Sequence, residues 1–191
     1  MNLVEPTREL LERLGAPLLT PFLAEWPDTT QCQERQPPAS LPVTKWLTEA
    51  TSAAPSFSRT LVTALATAAP TMTWKQTYTA AQVGAVFLQN YAWSGLIASE
   101  RLACGFLLLG PHTLYPRHNH QPEEIYIPLV GTATWEKGAE GWRKQRPGAL
   151  IHHPSYVEHA MRTADEPLVA LYLWRGDNLG QKARLLAPNA P

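Results

Sequence analysis

The sequence predicts a mainly β fold, an antiparallel barrel or sandwich behind an α-helical N-terminal extension. Helical periodicity is confined to roughly the first half of the chain, and past residue 100 the texture changes to short apolar or alternating runs broken by turn residues. No crossover helix separates those runs, so the strands must pair antiparallel. The expected division is 1–99 for the extension and 100–191 for the barrel.

Thr7 is placed to cap a first helix containing Leu10, Leu11 and Leu14, with Gly15 ending it. A second helix is expected over Leu41 to Ala50. A third starts at Ser56 or Ser58, with Leu61, Leu65 and Ala68 at helical spacing before Pro70. Thr79 to Ile97 reads as a longer helical segment, with Val83, Val86, Phe87 and Tyr91 on one stripe. Gln31 to Pro38, polar and proline-containing, reads as a loop. Strands are expected at Ala103 to Leu109, Glu124 to Val130, Thr132 to Glu136, Ala149 to His152 and Leu168 to Trp174. Turn pairs such as Gly110-Pro111, Gln121-Pro122, Pro147-Gly148 and His153-Pro154 punctuate them. The helices are expected to pack outside the barrel.

A chain of 191 residues, 45% hydrophobic, has material for about one domain with a sizeable core. Sixteen basic and sixteen acidic residues cancel, and no basic cluster stands out, so neither nucleic acid nor an anionic membrane surface is an expected partner. No apolar run approaches the roughly 20 residues that span a bilayer. The start carries no basic segment followed by an apolar one, so the expectation is a cytoplasmic protein with a small molecule as its partner. Cys32 and Cys104 lack the close spacing of a zinc knuckle or redox pair and are expected to be free thiols.

The chemistry is concentrated between Tyr115 and Gly131, where His118, His120, Glu124 and Tyr126 fall within nine residues. In an extended strand His118 and His120 project the same way, as do Glu124 and Tyr126, and one turn at Gln121-Pro122 brings the two pairs together. Imidazoles and one carboxylate suit one divalent transition metal, Fe(II), Zn, Mn, Ni or Co, and His159 is a candidate third histidine. His118 is open between ligand, hydrogen-bonding support and substrate contact. His112, His152 and His153 are expected in turn or surface positions, and Arg175 and Asp177 in a structural ion pair or turn cap.

These residues resemble the cupin pattern, a small double-stranded, jelly-roll-like β-barrel with a metal inside. Its first motif pairs His-x-His with a glutamate four residues on and a glycine seven further, matched by His118, His120, Glu124 and Gly131. The glycine expected six residues before the histidines is less well placed, since Gly110 lies eight before His118. Gly148, Pro154 and His159 reproduce the second motif, with Tyr156 where a glycine is usual. Within cupins the chain is similar to the cupin-type dimethylsulfoniopropionate (DMSP) lyases and DMSP lyase-like proteins, on Tyr115, Glu123-Glu124-Ile125-Tyr126, His159 and the stretch Leu171 to Asp177.

That resemblance implies metal ligation by His120, Glu124 and His159, with His118 and Tyr126 as candidates for additional ligands. It implies Tyr126 as the catalytic base and Tyr115 and Trp174 as pocket aromatics. His118 and Tyr172 are further candidates for substrate binding. The implied reaction is β-elimination of DMSP to acrylate and dimethyl sulfide, with the metal on the substrate carboxylate. Cupins often pair their barrels, which makes a homodimer a candidate assembly. Two other readings stay open: a cupin dioxygenase or isomerase acting on another small acid, and a non-catalytic small-ligand-binding cupin.

Overall fold

A computed structural model describes residues 2–27 and 37–186. Cys32 and residues 31–36 of the expected loop lie outside the described residues; Cys104 is a buried free thiol. Helix α1 (Val4–Leu14) begins earlier than Thr7 suggested, because Asn2 Oδ1 accepts the Val4 N–H at 2.9 Å and the helix forms around Thr7, which is buried inside it. Gly15 ends α1 in the left-handed conformation, φ 60°. Helices α2 (Thr20–Leu23), α3 (Leu47–Ala53, entered through a 3-10 turn at Pro42–Trp46) and α4 (Arg59–Ala68) complete this layer. Ser58 precedes α4, but its hydroxyl donates to Leu129 O at 2.7 Å, tying the helix start to a strand instead of capping it.

The expected long helix from Thr79 to Ile97 breaks into α5 (Ala80–Val83), α6 (Ala85–Gln89) and strand β1 (Tyr91–Ala98). Gly84, at φ 80° and ψ 153°, separates the two short helices. Beyond Gln89 a period of two takes over: Tyr91 and Trp93 face the barrel interior while Ala92 faces the helices. A register shift between Gly95 and Ile97 then turns Ile97 to the helical side, which disguises the alternation. Val86, assigned to the apolar stripe, is 76% exposed. The barrel therefore recruits residues 91–98, on the helical side of the division expected at residue 99.

The remaining strands are β2 (Leu102–Leu109), β3 (Leu114–Asn119), β4 (Glu123–Val130), β5 (Ala133–Lys137), β6 (Trp142–Gln145), β7 (Ile151–His153), β8 (His159–Thr163), β9 (Leu168–Arg175) and β10 (Arg184–Leu185). They form two five-stranded sheets, ordered β1-β2-β9-β4-β7 and β10-β3-β8-β5-β6, whose strand pairs are antiparallel. The first sheet is apolar on both faces. Cys104, Phe106, Leu108, Ile125, Ile127, Leu171 and Leu173 pack against α1, α3 and α4. The opposite face meets the second sheet through Leu107, Leu109, Tyr126 and Ala170 against Trp135 and Met161. This two-walled barrel, with helices stacked on one wall, is the cupin fold.

Glycine is required where walls crowd. A Cβ on Gly105, in the centre of β2, would lie 2.2 Å from Ser94 O and 2.8 Å from the Tyr172 hydroxyl. The missing side chain lets Tyr172, its cross-strand partner, lie across β2 toward Trp93. Among the described residues, no helix is long and apolar enough to cross a membrane.

Candidate metal centre

The turn between β3 and β4 passes from one sheet to the other, so the residues flanking it approach a common point from both walls. His118 sits on β3 directly opposite His159 on β8, in the second sheet. His120 follows at the corner, and Glu124 lies on β4 of the first sheet, with His153 of β7 opposite it on one side and Trp174 of β9 on the other. Directly opposed residues of antiparallel strands share a face, so register alone sets these side chains together. All four histidines and Glu124 are buried.

Three of the imidazoles are anchored alike. Nδ1 of His118, His120 and His159 lies 2.8 Å from the carbonyl oxygens of Pro116, Pro122 and Val157 respectively. A carbonyl only accepts, so each Nδ1 carries the hydrogen and each Nε2 is turned into the cluster. Ligand atoms of His118, His120 and His159 lie within 4.8 Å of one another. His159 Nε2 has no hydrogen-bond partner and stands 3.3 Å from Glu124 Oε2. A lone pair facing a carboxylate oxygen at that distance is repulsive unless a cation lies between them, and this fits the donor set to a divalent metal.

The electrostatics of the cluster follow from its burial and its one carboxylate. Burial disfavours the charged form of His120, but Glu124, whose Oε2 is 3.0 Å from His120 Nε2, outweighs it and raises the pKa. Burial would raise the Glu124 carboxyl; His120 and the hydrogen bonds it accepts hold it well below the usual range. Burial and the neighbouring His159 push His118 well below the usual imidazole value, so it is neutral. The same two causes bring His153 down to about 4.

The aromatic candidates surround this cluster. Trp174 is half-buried, donates its indole N–H to Glu124 Oε1 at 2.6 Å, and lies over His120 with ring centroids 4.3 Å apart. Tyr172, also half-buried, is edge-on to both Trp174 and Trp93. Tyr115 stacks on His118 at 4.2 Å, and its hydroxyl meets those of Tyr78 at 3.2 Å and Tyr91 at 3.5 Å. Tyr126 is buried beside Trp135, and burial together with the Glu124 charge holds its phenol well above its ordinary pKa.

His153 does not occupy the expected turn or surface position. It is fully buried within the cluster, because β7 pairs with β4 and places it beside Glu124. His152, one residue earlier, points outward to Glu123 at 2.8 Å, and His112 is exposed. Arg175 and Asp177 do form ion pairs, but with Glu123 and Arg101. Tyr78, Tyr91 and Trp93 entered no motif; Tyr91 and Trp93 come from the segment read as helix, where only a period-two count could have shown them facing inward, and Tyr78 precedes that segment.

Fold and site together define a cupin-type barrel with a buried histidine–glutamate cluster that could hold a metal ion. The chain belongs to the dimethylsulfoniopropionate lyase family, whose sequence profile matches residues 24–170. It is 39% identical over 110 residues to dimethylsulfoniopropionate lyase DddQ of Ruegeria pomeroyi, covering 54% of this chain and 55% of that protein. The chain spans about half the length of the curated relatives it matches. Among solved structures, one reported for the DMSP lyases RdDddP and RnDddQII superposes with a TM-score of 0.87 at 32% identity, covering 97% of this chain and 96% of that one. DMSP lyase DddQ from Ruegeria pomeroyi DSS-3 gives 0.77 at 28%, covering 96% and 99%.

Proposed function

We propose that this chain is a metal-dependent DMSP lyase that releases acrylate, dimethyl sulfide and a proton by β-elimination. The observation that carries this reading is the set of three imidazoles locked with Nε2 inward beside Glu124, in a chain of the DMSP lyase family. His120, His159 and Glu124 hold the ion in this reading, with His118 the fourth donor in reach. A divalent cation there supplies Lewis acidity toward the substrate carboxylate.

Tyr126 is the base in this proposal. It lies two residues from Glu124 on β4, on the same inward face. Its phenol keeps its proton while buried beside the Glu124 carboxylate; positive charge offsetting Glu124 would let it ionise, releasing that proton to solvent, and the resulting phenolate would accept the proton from the substrate. The proton leaves the carbon next to the substrate carboxylate, its electron pair forms the double bond, and the carbon–sulfur bond breaks toward the sulfonium, giving neutral dimethyl sulfide. Ring faces of Trp174, Tyr172 and Tyr115 suit the sulfonium before cleavage, with cation–π attraction of about 0.5–2 kcal/mol. The attraction disappears with the positive charge, which favours product release.

The test is to reconstitute the protein separately with Fe(II), Mn, Zn, Ni and Co and to follow acrylate and dimethyl sulfide from DMSP by chromatography. Both products are expected in equal amounts with at least one metal, and neither with any metal sinks the reading. Tyr126→Phe is expected to retain metal while losing most activity; a metal-free variant would instead make the tyrosine chiefly a ligand.

A further inference from the structure

We infer that His153 is a positioning residue for the metal ligands, holding Glu124 through one ring nitrogen and bracing His159 with its ring face; this rests on the metal-centred reading above. His153 is fully buried on β7 opposite Glu124, with Nδ1 3.4 Å from Glu124 Oε2. Its ring stacks on that of His159 with centroids 4.0 Å apart and planes 12° from parallel.

The stack decides between ligand and brace. Ligand atoms of Glu124, His153 and His159 lie within 4.8 Å of one another, close enough to suggest a coordination set. An imidazole binds a metal along the nitrogen lone pair, in or near the ring plane. Two rings stacked face to face and nearly parallel have no common point near their nitrogens, so one ion cannot lie in both planes. The rings of His118 and His120 make 64° and 76° with His159, and those planes cross. His153 is therefore behind the coordination set, not in it.

From there it completes a two-sided grip. Trp174, from the strand on the other side of β4, donates to Glu124 Oε1 at 2.6 Å, while the His153 N–H faces Oε2. Since the carboxylate only accepts, His153 Nδ1 carries the hydrogen, and its Nε2 has no partner. Held at both oxygens, the carboxylate cannot turn about its last bond, and Oε2 stays directed at His120 and His159. Outer hydrogen bonds of this kind are worth about 10–100-fold in metal affinity.

The experiment uses Co(II) and Zn(II) alone as probes, with the full chain and its His153→Asn, His153→Gln and His153→Phe variants. Co(II) absorption bands report ligand geometry, chelator competition gives Zn(II) affinity, and thermal melting reports folding. Asparagine places its amide N–H where Nδ1 stood, glutamine places it nearer Nε2, and phenylalanine keeps the stack without a donor. One ion per chain is expected in every folded variant. Affinity should fall about 10–100-fold with shifted bands in the Phe and Gln variants, whereas the Asn variant, which keeps the N–H but not the ring against His159, should retain most of the affinity while its bands shift. Wild-type affinity and bands in the Phe variant, or in the Gln variant should Phe fail to fold, would overturn the inference. So would equal losses in Asn and Gln, or a drop below one ion per chain, which would make His153 a ligand. No DMSP enters the measurement, so failure of lyase activity is separable from failure of the brace, and a wild-type chain that binds neither ion overturns the metal-centred reading itself.

Discussion

Glu124 shows how much one carboxylate can be constrained by its neighbours in a sheet. Trp174 controls one oxygen, so Trp174→Phe keeps a ring over His120 but frees Glu124 Oε1. Metal affinity is expected to fall at least about tenfold in chelator competition, with melting temperature in the absence of metal changed by only a few degrees. A second residue carries strain instead of function. Tyr156 stands in the second motif where glycine is usual, and it adopts φ 61° while 56% exposed, its N–H bonded to His120 O at 2.8 Å. A non-glycine left-handed residue costs about 1–2 kcal/mol, partly offset by the greater freedom glycine has when unfolded. Tyr156→Gly should therefore raise stability by about 0.5–1 kcal/mol in urea titration; a loss would show that the ring packs usefully. At this scale His118, His120, Glu124 and His159 were legible because they lie in two short motifs. His153 was not, because its place depends on the pairing of β4 with β7, 29 residues apart, and a single sequence does not display register.

At the scale of elements, the triple β1-β2-β9 depends on a strand centre without side chains. Gly105→Ala would place a Cβ 2.2 Å from backbone Ser94 O, which cannot rotate away. The variant is expected to lose about 2–3 kcal/mol or more and to displace Tyr172, measurable as a lower unfolding midpoint with altered tyrosine fluorescence. The strands β2, β4 and β9 could be read directly, since burial on both faces gives continuous apolar runs. β1 could not: Tyr91, Phe87 and Val83 fit a helical stripe, and only pairing with β2 decides for strand. Short β6 and β10, with four and two residues, offer too little pattern to stand out from turns.

Across the whole molecule, the first sheet serves two cores, one under the helices and one inside the barrel, and the inner core is rich in phenols. Burial raises the pKa of Tyr78, Tyr91, Tyr115 and Tyr126 above the ordinary value, and that of Cys104 to about 12. Unfolded phenols ionise near pH 10 and unfolded thiols near pH 9, while the folded chain keeps these groups neutral. Rising pH thus draws protons from the unfolded state first, and each group costs the fold about 1.4 kcal/mol per pH unit above its unfolded pKa until its folded pKa is reached. The urea midpoint is expected to hold between pH 7 and about 8.5, slip above about 9 and collapse above about 10. A midpoint that stays level to pH 11 would contradict the burial of these phenols.

The proposed metal ligands come from opposite walls, His159 from one sheet, with His118 beside it, and Glu124 from the other. An ion held among them would rivet the barrel shut. At a concentration a thousandfold above its dissociation constant it would add about 4 kcal/mol to stability, or about 10 °C in melting temperature, reversed by chelation. With every donor buried, escape of such an ion would be limited by how often the walls part. Its escape into excess chelator should then proceed at a rate that no longer depends on chelator concentration, and that plateau times the opening of the barrel.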